Sequence, residues 1–200
     1  MNHLILWLGQ LLPVWPAIRA AGLTSYVLLF LSVVSGILQS LPLINGRRRG
    51  MLYAFHCTTC QYGLMFGMFH GLLLLGDAKV SYNLRGILIP FTSHYLPLQT
   101  GFGTIALYVM AILVISSRMI KRIGRKFWRV IHFLSFPGYV FALYHGISMG
   151  TDSQYSEIKL LYGITGGIVL ALVLFRLTRT SPKRAPASAG RGAAQNAKSY

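Results

Sequence analysis

The chain has 200 residues, 54% of them hydrophobic, and a mean hydropathy of +0.56. Charged residues make up 11%, against about 25% in soluble domains, and only three are acidic. This composition excludes an ordinary soluble domain and predicts an all-α, polytopic membrane helical bundle. The net charge of +16 does not predict a nucleic acid partner, because the basic residues lie in short clusters between apolar runs.

Residues 1–18 are predicted to form an interfacial segment rather than a cleavable signal or a complete span. No basic residue precedes Arg19, whereas a cleavable signal begins with positive charge. Pro13 and Pro16 interrupt the apolar stretch before it reaches the ~20 residues that cross a bilayer. A sixth, very short span is the alternative.

Apolar runs separated by helix breakers predict five transmembrane helices within one domain, residues 19–178. The five runs cover residues 23–43, 51–76, 98–117, 128–149 and 158–177. Residues 179–200 combine small and basic side chains with almost nothing to bury, which predicts a disordered tail.

Basic residues are divided unequally between the two sides of this predicted bundle. Fifteen of the nineteen lie between spans one and two, around the connection between spans three and four, or at and beyond the end of span five. The opposite side carries all three acids and four cations, which are Arg19, Lys79, Arg85 and Lys159. Because basic loops stay in the cytoplasm, we expect a multi-pass cell-membrane protein with its N-terminus outside and its C-terminus cytoplasmic.

Four histidines lie inside predicted spans, where ionisable side chains are costly and usually mark a functional site. His56 and His70 are fourteen residues apart, which puts them within about 40° of one helix face and roughly 21 Å apart along the axis. His132 and His145 are thirteen apart, so an ideal helix would rotate them about 140° from each other. Pro137 lies between them and can change the local winding.

The predicted topology nevertheless pairs these histidines by depth. Spans two and four both run outwards, so His56 and His132 share the inner level, and His70 and His145 share the outer level. An imidazole on each face of a haem fills both axial positions of the iron, which predicts two b-type haems stacked through the membrane. Core histidines that hydrogen-bond between helices are the alternative. Zinc fits less well, since the two levels are too far apart to share one ion.

The sequence resembles the ferric reductase-like transmembrane domain family. That family is related to the membrane domain of NADPH oxidases and to the haem-binding membrane subunit of the methionine-sulfoxide repair system. The resemblance covers residues 19–178 and is carried by Phe55-His56, Met68-Phe69-His70, Trp128-Arg129-Val130-Ile131-His132 and Tyr144-His145-Gly146. The family has the same intervals of fourteen and thirteen residues.

The resemblance implies that His56 and His132 bind the inner haem iron, and that His70 and His145 bind the outer one. It also implies that Arg19 meets a haem propionate or an acceptor, although a basic interfacial anchor is an equal alternative. Leu74 stands where oxidases place a further histidine at the oxygen site, which lowers the expectation of superoxide production. Gly138 stands where oxidases place an aromatic residue between the haems.

The expected activity is that of an oxidoreductase component that passes electrons outwards from a cytoplasmic-side donor. Only about 23 residues follow span five, too few for the flavin and nicotinamide domain of related oxidases, so a separate flavoprotein or membrane quinol is the expected donor. The expected acceptor is a ferric chelate. A separate extracytoplasmic reductase is the alternative, and a haem-free structural or transport protein is the second alternative.

Cys57 and Cys60 form a C-x-x-C motif directly after His56. Covalent attachment of a c-type haem needs the histidine after the second cysteine, so that chemistry is excluded. Both a redox dithiol and a pair of small packing residues stay open.

Overall fold

The computed structural model describes residues 14–77 and 80–178, and within these residues it is all-helical, without strands. The helices are α1 (Val14–Gln39), α2 (Gly46–Leu73), α3 (Leu84–Leu88), α4 (Pro97–Arg118), α5 (Ile120–Ile123), α6 (Arg125–His132), α7 (Ser135–Met149) and α8 (Ser156–Thr178). Two short 3₁₀ turns lie at Leu74–Gly76 and Thr151–Gln154.

Four helical stretches are long and apolar enough to cross a membrane. They are α1, α4, the α6–α7 stretch Arg125–Met149, and α8. α2 is 28 residues long but is not among them, because His56, Gln61 and His70 lower its hydropathy. The described chain is therefore an all-helical membrane protein with four candidate spans, against the five predicted.

α1 begins at Val14, well before the predicted start of the first span at residue 23. Pro16 does not interrupt it, because the N–H groups of a helix's first turn have no partner within the helix. The predicted interfacial segment 1–18 overlaps this helix from Val14 onwards, and its earlier part lies outside the described residues. The predicted disordered tail, 179–200, lies outside them as well.

The helix that carries His132 and His145 is interrupted between them, at Phe133 and Leu134. Pro137 explains the interruption, since it has no N–H to offer the carbonyl of Phe133 four residues earlier, and its ring crowds that carbonyl. The N–H of Leu134 instead donates to Ile131, three residues back, at 3.0 Å. A three-residue hydrogen bond winds the chain more tightly than an α-helix does, so the angle between His132 and His145 differs from that of an ideal helix, as expected from Pro137.

α1 is the central helix of the bundle. α2 packs mainly against α1, and α7 packs mainly against α4, while α7 and α8 also contact α1. The buried core comprises Tyr26, Leu29, Val33, Ile37, Met110, Tyr139, Tyr162 and Val169. The outward surfaces of the long helices are rich in exposed Leu, Ile, Phe and Met, which need lipid around them.

A buried hydroxyl chain ties α1 to α7 and α8. The Tyr26 hydroxyl lies 3.1 Å from that of Tyr139 and 2.6 Å from that of Thr165. Thr165 donates to the carbonyl of Leu161 at 2.7 Å, so it accepts from Tyr26, and Tyr26 accepts from Tyr139. This directed chain fixes the three helices that surround the histidine levels.

Candidate functional site

The structure brings the four helical histidines into two pairs. The ring centres of His56 and His132 are 6.0 Å apart, with their planes inclined at 71°. Those of His70 and His145 are 6.3 Å apart, at 78°. These are the pairs that the predicted topology placed at the inner and outer levels.

Both separations suit two imidazoles with one metal ion between them. A metal–imidazole bond is about 2 Å long and the ring centre lies about 1 Å behind the nitrogen, so rings on opposite sides of one ion have centres about 6 Å apart. In residues 14–77 and 80–178 no group of three or more His, Cys, Asp or Glu is placed to hold a metal ion. Each pair supplies two protein ligands, as the axial positions of a haem require.

Three of the four rings are oriented by a backbone carbonyl. The Nδ1 atoms lie 2.8 Å from the carbonyl oxygen of Ser32 (for His56), 2.9 Å from that of Ile18 (for His70) and 2.9 Å from that of Gln99 (for His145). A carbonyl can only accept, so each Nδ1 carries the proton and each Nε2 keeps its lone pair. This is the tautomer that a metal ligand needs, and the same hydrogen bond makes the ligand more basic.

His132 is held differently. Its Nδ1 is buried and has no hydrogen-bond partner among residues 14–77 and 80–178. Its ring stacks on Trp128, with centres 4.7 Å apart and planes inclined at 29°. The indole N–H of Trp128 donates to the hydroxyl of Ser117 on α4 at 3.1 Å, which fixes the stacking partner.

A glycine lies against each of the other three rings. A Cβ would be 3.0 Å from the ring of His70 at Gly22, 3.1 Å from that of His56 at Gly36, and 2.6 Å from that of His145 at Gly103. The sequence-based prediction missed these glycines. The signal was present, because Gly22 and Gly36 repeat on α1 the fourteen-residue interval of the histidines on α2.

A large cavity lies at the level of His70 and His145. Its volume is about 240 Å³, and it is partly open to the surroundings. Both histidines line it, together with Gly22, Gly67 and Gly103. These small residues let the surrounding helices leave a broad gap between the two imidazoles.

Arg19 also lines this cavity, but its partner in the structure is Asp152. Its Nε donates to the carboxylate at 2.7 Å, and a second guanidinium nitrogen completes the ion pair. The pair joins the start of α1 to the Thr151–Gln154 turn. The sequence-based interpretation was that Arg19 contacts a haem propionate or an acceptor, or anchors the helix at the interface. It missed the ion pair with Asp152, although it assigned both residues to the same side of the membrane.

The two cysteines and the loop residue His94 are not members of the two imidazole pairs. Cys57 and Cys60 are free and half-buried, and their side chains contact Tyr53 and Ser32 respectively. His94 lies in the loop between α3 and α4, and its Nε2–H donates to the carbonyl of Val80 at 2.8 Å.

Tyr82 follows α2 and lines the same cavity as the outer histidines. Burial raises the pKa of its hydroxyl, so the group stays protonated and neutral at physiological pH. Tyr82 therefore contributes a neutral hydroxyl group, and not a charge, to the lining of the cavity.

Comparison of the chain with known proteins does not identify a family, so the geometry of the histidine pairs is the main guide to function. No protein-family model matches the chain, and no curated protein matches it either.

Proposed function

We propose that this chain is a di-haem, ferric reductase-like membrane protein that carries electrons from the cytoplasmic side to an outer acceptor. The single observation that supports it best is the occurrence of two facing imidazole pairs, with ring centres 6.0 and 6.3 Å apart. Interhelical hydrogen bonding alone would account for the Nδ1 contacts with carbonyls, but it does not require the rings to face each other in pairs. The facing of the rings at the separation of two ligands on one ion favours the haem proposal.

The residues present fit two b-type haems. His56 and His132 would hold the inner iron, and His70 and His145 the outer one. When bound, each haem supplies a one-electron carrier. The chain's own contribution is to fix the tautomer through the backbone carbonyls and to leave room through the glycines. Two histidine ligands for each haem would suit an electron carrier.

This function requires α2 to be a fifth span, in addition to the four apolar helices. Its lipid-facing surface is suitable, since Phe55, Met65, Met68 and Leu72 are exposed. Thr59 and the two histidines are buried or half-buried and have hydrogen-bond partners, whereas Thr58 and Gln61 are exposed. A span that directs its polar groups at a bound cofactor needs less overall hydropathy than a helix surrounded by lipid.

The charges support an orientation with the N-terminus outside. Ten exposed cations of the described chain lie at the end of the bundle that carries His56 and His132, namely Arg47, Arg48, Arg49, Arg118, Lys121, Arg122, Arg125, Lys126, Arg129 and Arg176. Cytoplasmic loops are enriched in such residues. Electrons would then enter from a separate flavoprotein or membrane quinol at the inner level and leave from the outer one.

The visible spectrum of the detergent-solubilised protein tests the proposal directly. Dithionite should give sharp Soret and α bands, and haem quantification should return two haems per chain. His70→Ala should remove about half of the haem, whereas His94→Ala, a change at a loop histidine, should remove none. A flat spectrum would favour a haem-free structural or transport protein and end the proposal.

The acceptor separates the two forms of the proposed function. Chemically reduced protein should be reoxidised rapidly by ferric chelates if the chain itself acts as a ferric reductase component. If it stays reduced until an extracytoplasmic reductase is added, the chain is the membrane subunit of a two-protein system. The outer cavity, lined by Arg19 and Tyr82, is where either acceptor would approach.

A further inference from the structure

The two histidine levels are not equivalent, and the difference lies in one residue. The Nδ1 atoms of His70 and His145 are each fixed by a backbone carbonyl at 2.9 Å, and so is that of His56, at 2.8 Å. Among the described residues, His132 alone of the four has a buried Nδ1 without a partner. Turning the His132 ring therefore breaks no hydrogen bond, whereas turning any of the others takes its Nδ1–H away from its acceptor.

The backbone at His132 is also held less firmly than the backbone at the other three histidines. His132 is the last residue of the eight-residue helix α6 and is followed at once by the interruption at Phe133 and Leu134. His56 and His70 lie inside the 28-residue α2, and His145 lies inside α7. Helix ends beside an irregular turn open at lower free energy than helix interiors.

We propose that His132 is the exchangeable ligand, so that the inner centre, and not the outer one, opens to a small neutral diatomic ligand of reduced iron. This inference rests on the proposed function, because the ligand needs a haem to bind. His132 would release the iron by turning its ring, while His56, fixed by the carbonyl of Ser32, would stay bound. The small ligand would then bind where His132 had been.

Trp128 restrains this opening. It stacks on the His132 ring, and its own indole is held by Ser117 of α4. The stacked indole orients the His132 ring, as a carbonyl orients each of the other three rings, but it does so through a flat surface and without a hydrogen bond. A ring can slide along such a surface without leaving a polar group unpaired. Removing the indole should therefore make His132 exchange faster.

Carbon monoxide is the probe, with dithionite-reduced protein and difference spectra. His70→Ala leaves an inner-only protein and His56→Ala an outer-only protein, each checked for one remaining haem. The inner-only protein should bind CO to most of its haem and the outer-only protein to almost none. Wild type should respond with about half of its haem. Equal CO binding by both single-haem proteins, or none by either, overturns the proposal, whereas absence of haem in the wild type overturns the proposed function instead.

The restraint is tested in the inner-only protein by stopped-flow CO binding. Trp128→Ala should raise the association rate severalfold. The matched control is Phe127→Ala, which removes an exposed aromatic side chain from the same helix and should leave the rate unchanged. If Trp128→Ala loses the inner haem, Ser117→Ala frees the indole without removing it and should raise the rate more modestly. Rates that do not respond to either Trp128→Ala or Ser117→Ala contradict the assignment of Trp128.

Discussion

Gly103 on α4 lies directly against the imidazole of His145 on α7, so that a Cβ at this position would be 2.6 Å from the ring. This distance is shorter than real Cβ contacts, and the ring cannot yield without leaving the carbonyl of Gln99, which lies 2.9 Å from its Nδ1. The glycine and the carbonyl together define where the ring stands. Helix α4 thus sets the position of a histidine that it does not carry.

Replacing Gly103 should therefore displace the outer haem. Gly103→Val should lower the haem content by about half, because the inner pair does not depend on α4 in this way. The haem-to-protein ratio of purified protein is the measurement. Gly163→Ala, at a glycine of α8 whose added Cβ meets nothing within 4 Å, is the matched control and should keep both haems. Full haem content in Gly103→Val would show that the glycine does not position the ring.

Much of this arrangement was foreseeable from the sequence. The third and fifth spans were predicted at residues 98–117 and 158–177, and the structure has helices at Pro97–Arg118 and Ser156–Thr178. Long apolar runs between breakers determine such elements without reference to neighbours. The pairing of the histidines could be predicted because the two helices that carry them were expected to run in the same direction. The first histidine of each helix then lies at one level and the second at the other.

The features that were missed depend on tertiary contacts. Pro16 looked like a breaker, but its effect depends on its place in the helix, and that place was not visible in the sequence. The pairing of Arg19 with Asp152 joins residues 133 positions apart, which no local pattern reveals. The carbonyls that orient His56, His70 and His145 belong to neighbouring helices. The sequence could therefore not predict that His132 lacks such a carbonyl.

The hydroxyl chain through Tyr26 should contribute measurably to stability. Tyr26→Phe removes the donor to Thr165 and leaves Tyr139 without its acceptor, in a site where both partners are buried. Loss of a buried hydrogen bond of this kind costs about 1–3 kcal/mol. Thermal unfolding in detergent should show a lower midpoint, while Tyr155→Phe, at an exposed position, should leave it unchanged. An unchanged midpoint in Tyr26→Phe would mean that the chain is not a structural tie.

The ion pair between Arg19 and Asp152 should contribute little to stability. The two side chains are 38% and 22% exposed, so solvent screens the attraction. Exposed pairs contribute about 0.2–1 kcal/mol, and a double-mutant cycle with Arg19→Gln and Asp152→Asn should give a coupling energy in that range. The coupling should shrink when the salt concentration is raised. A coupling several times larger would indicate that the pair is shielded from water in the assembled protein.

The proposed orientation can be tested with single introduced cysteines, because the two natural cysteines are free and can be replaced by serine. In a Cys57→Ser, Cys60→Ser background, Tyr155→Cys places a thiol between α7 and α8, and Arg48→Cys places one at the start of α2; both native side chains are exposed. A membrane-impermeant maleimide applied to intact cells should label position 155 and leave position 48 unlabelled until the membrane is permeabilised. The asymmetry arises because the cations cluster at the end of the bundle that contains position 48. The reverse labelling pattern would place His56 and His132 at the outer level and reverse the proposed direction of electron flow.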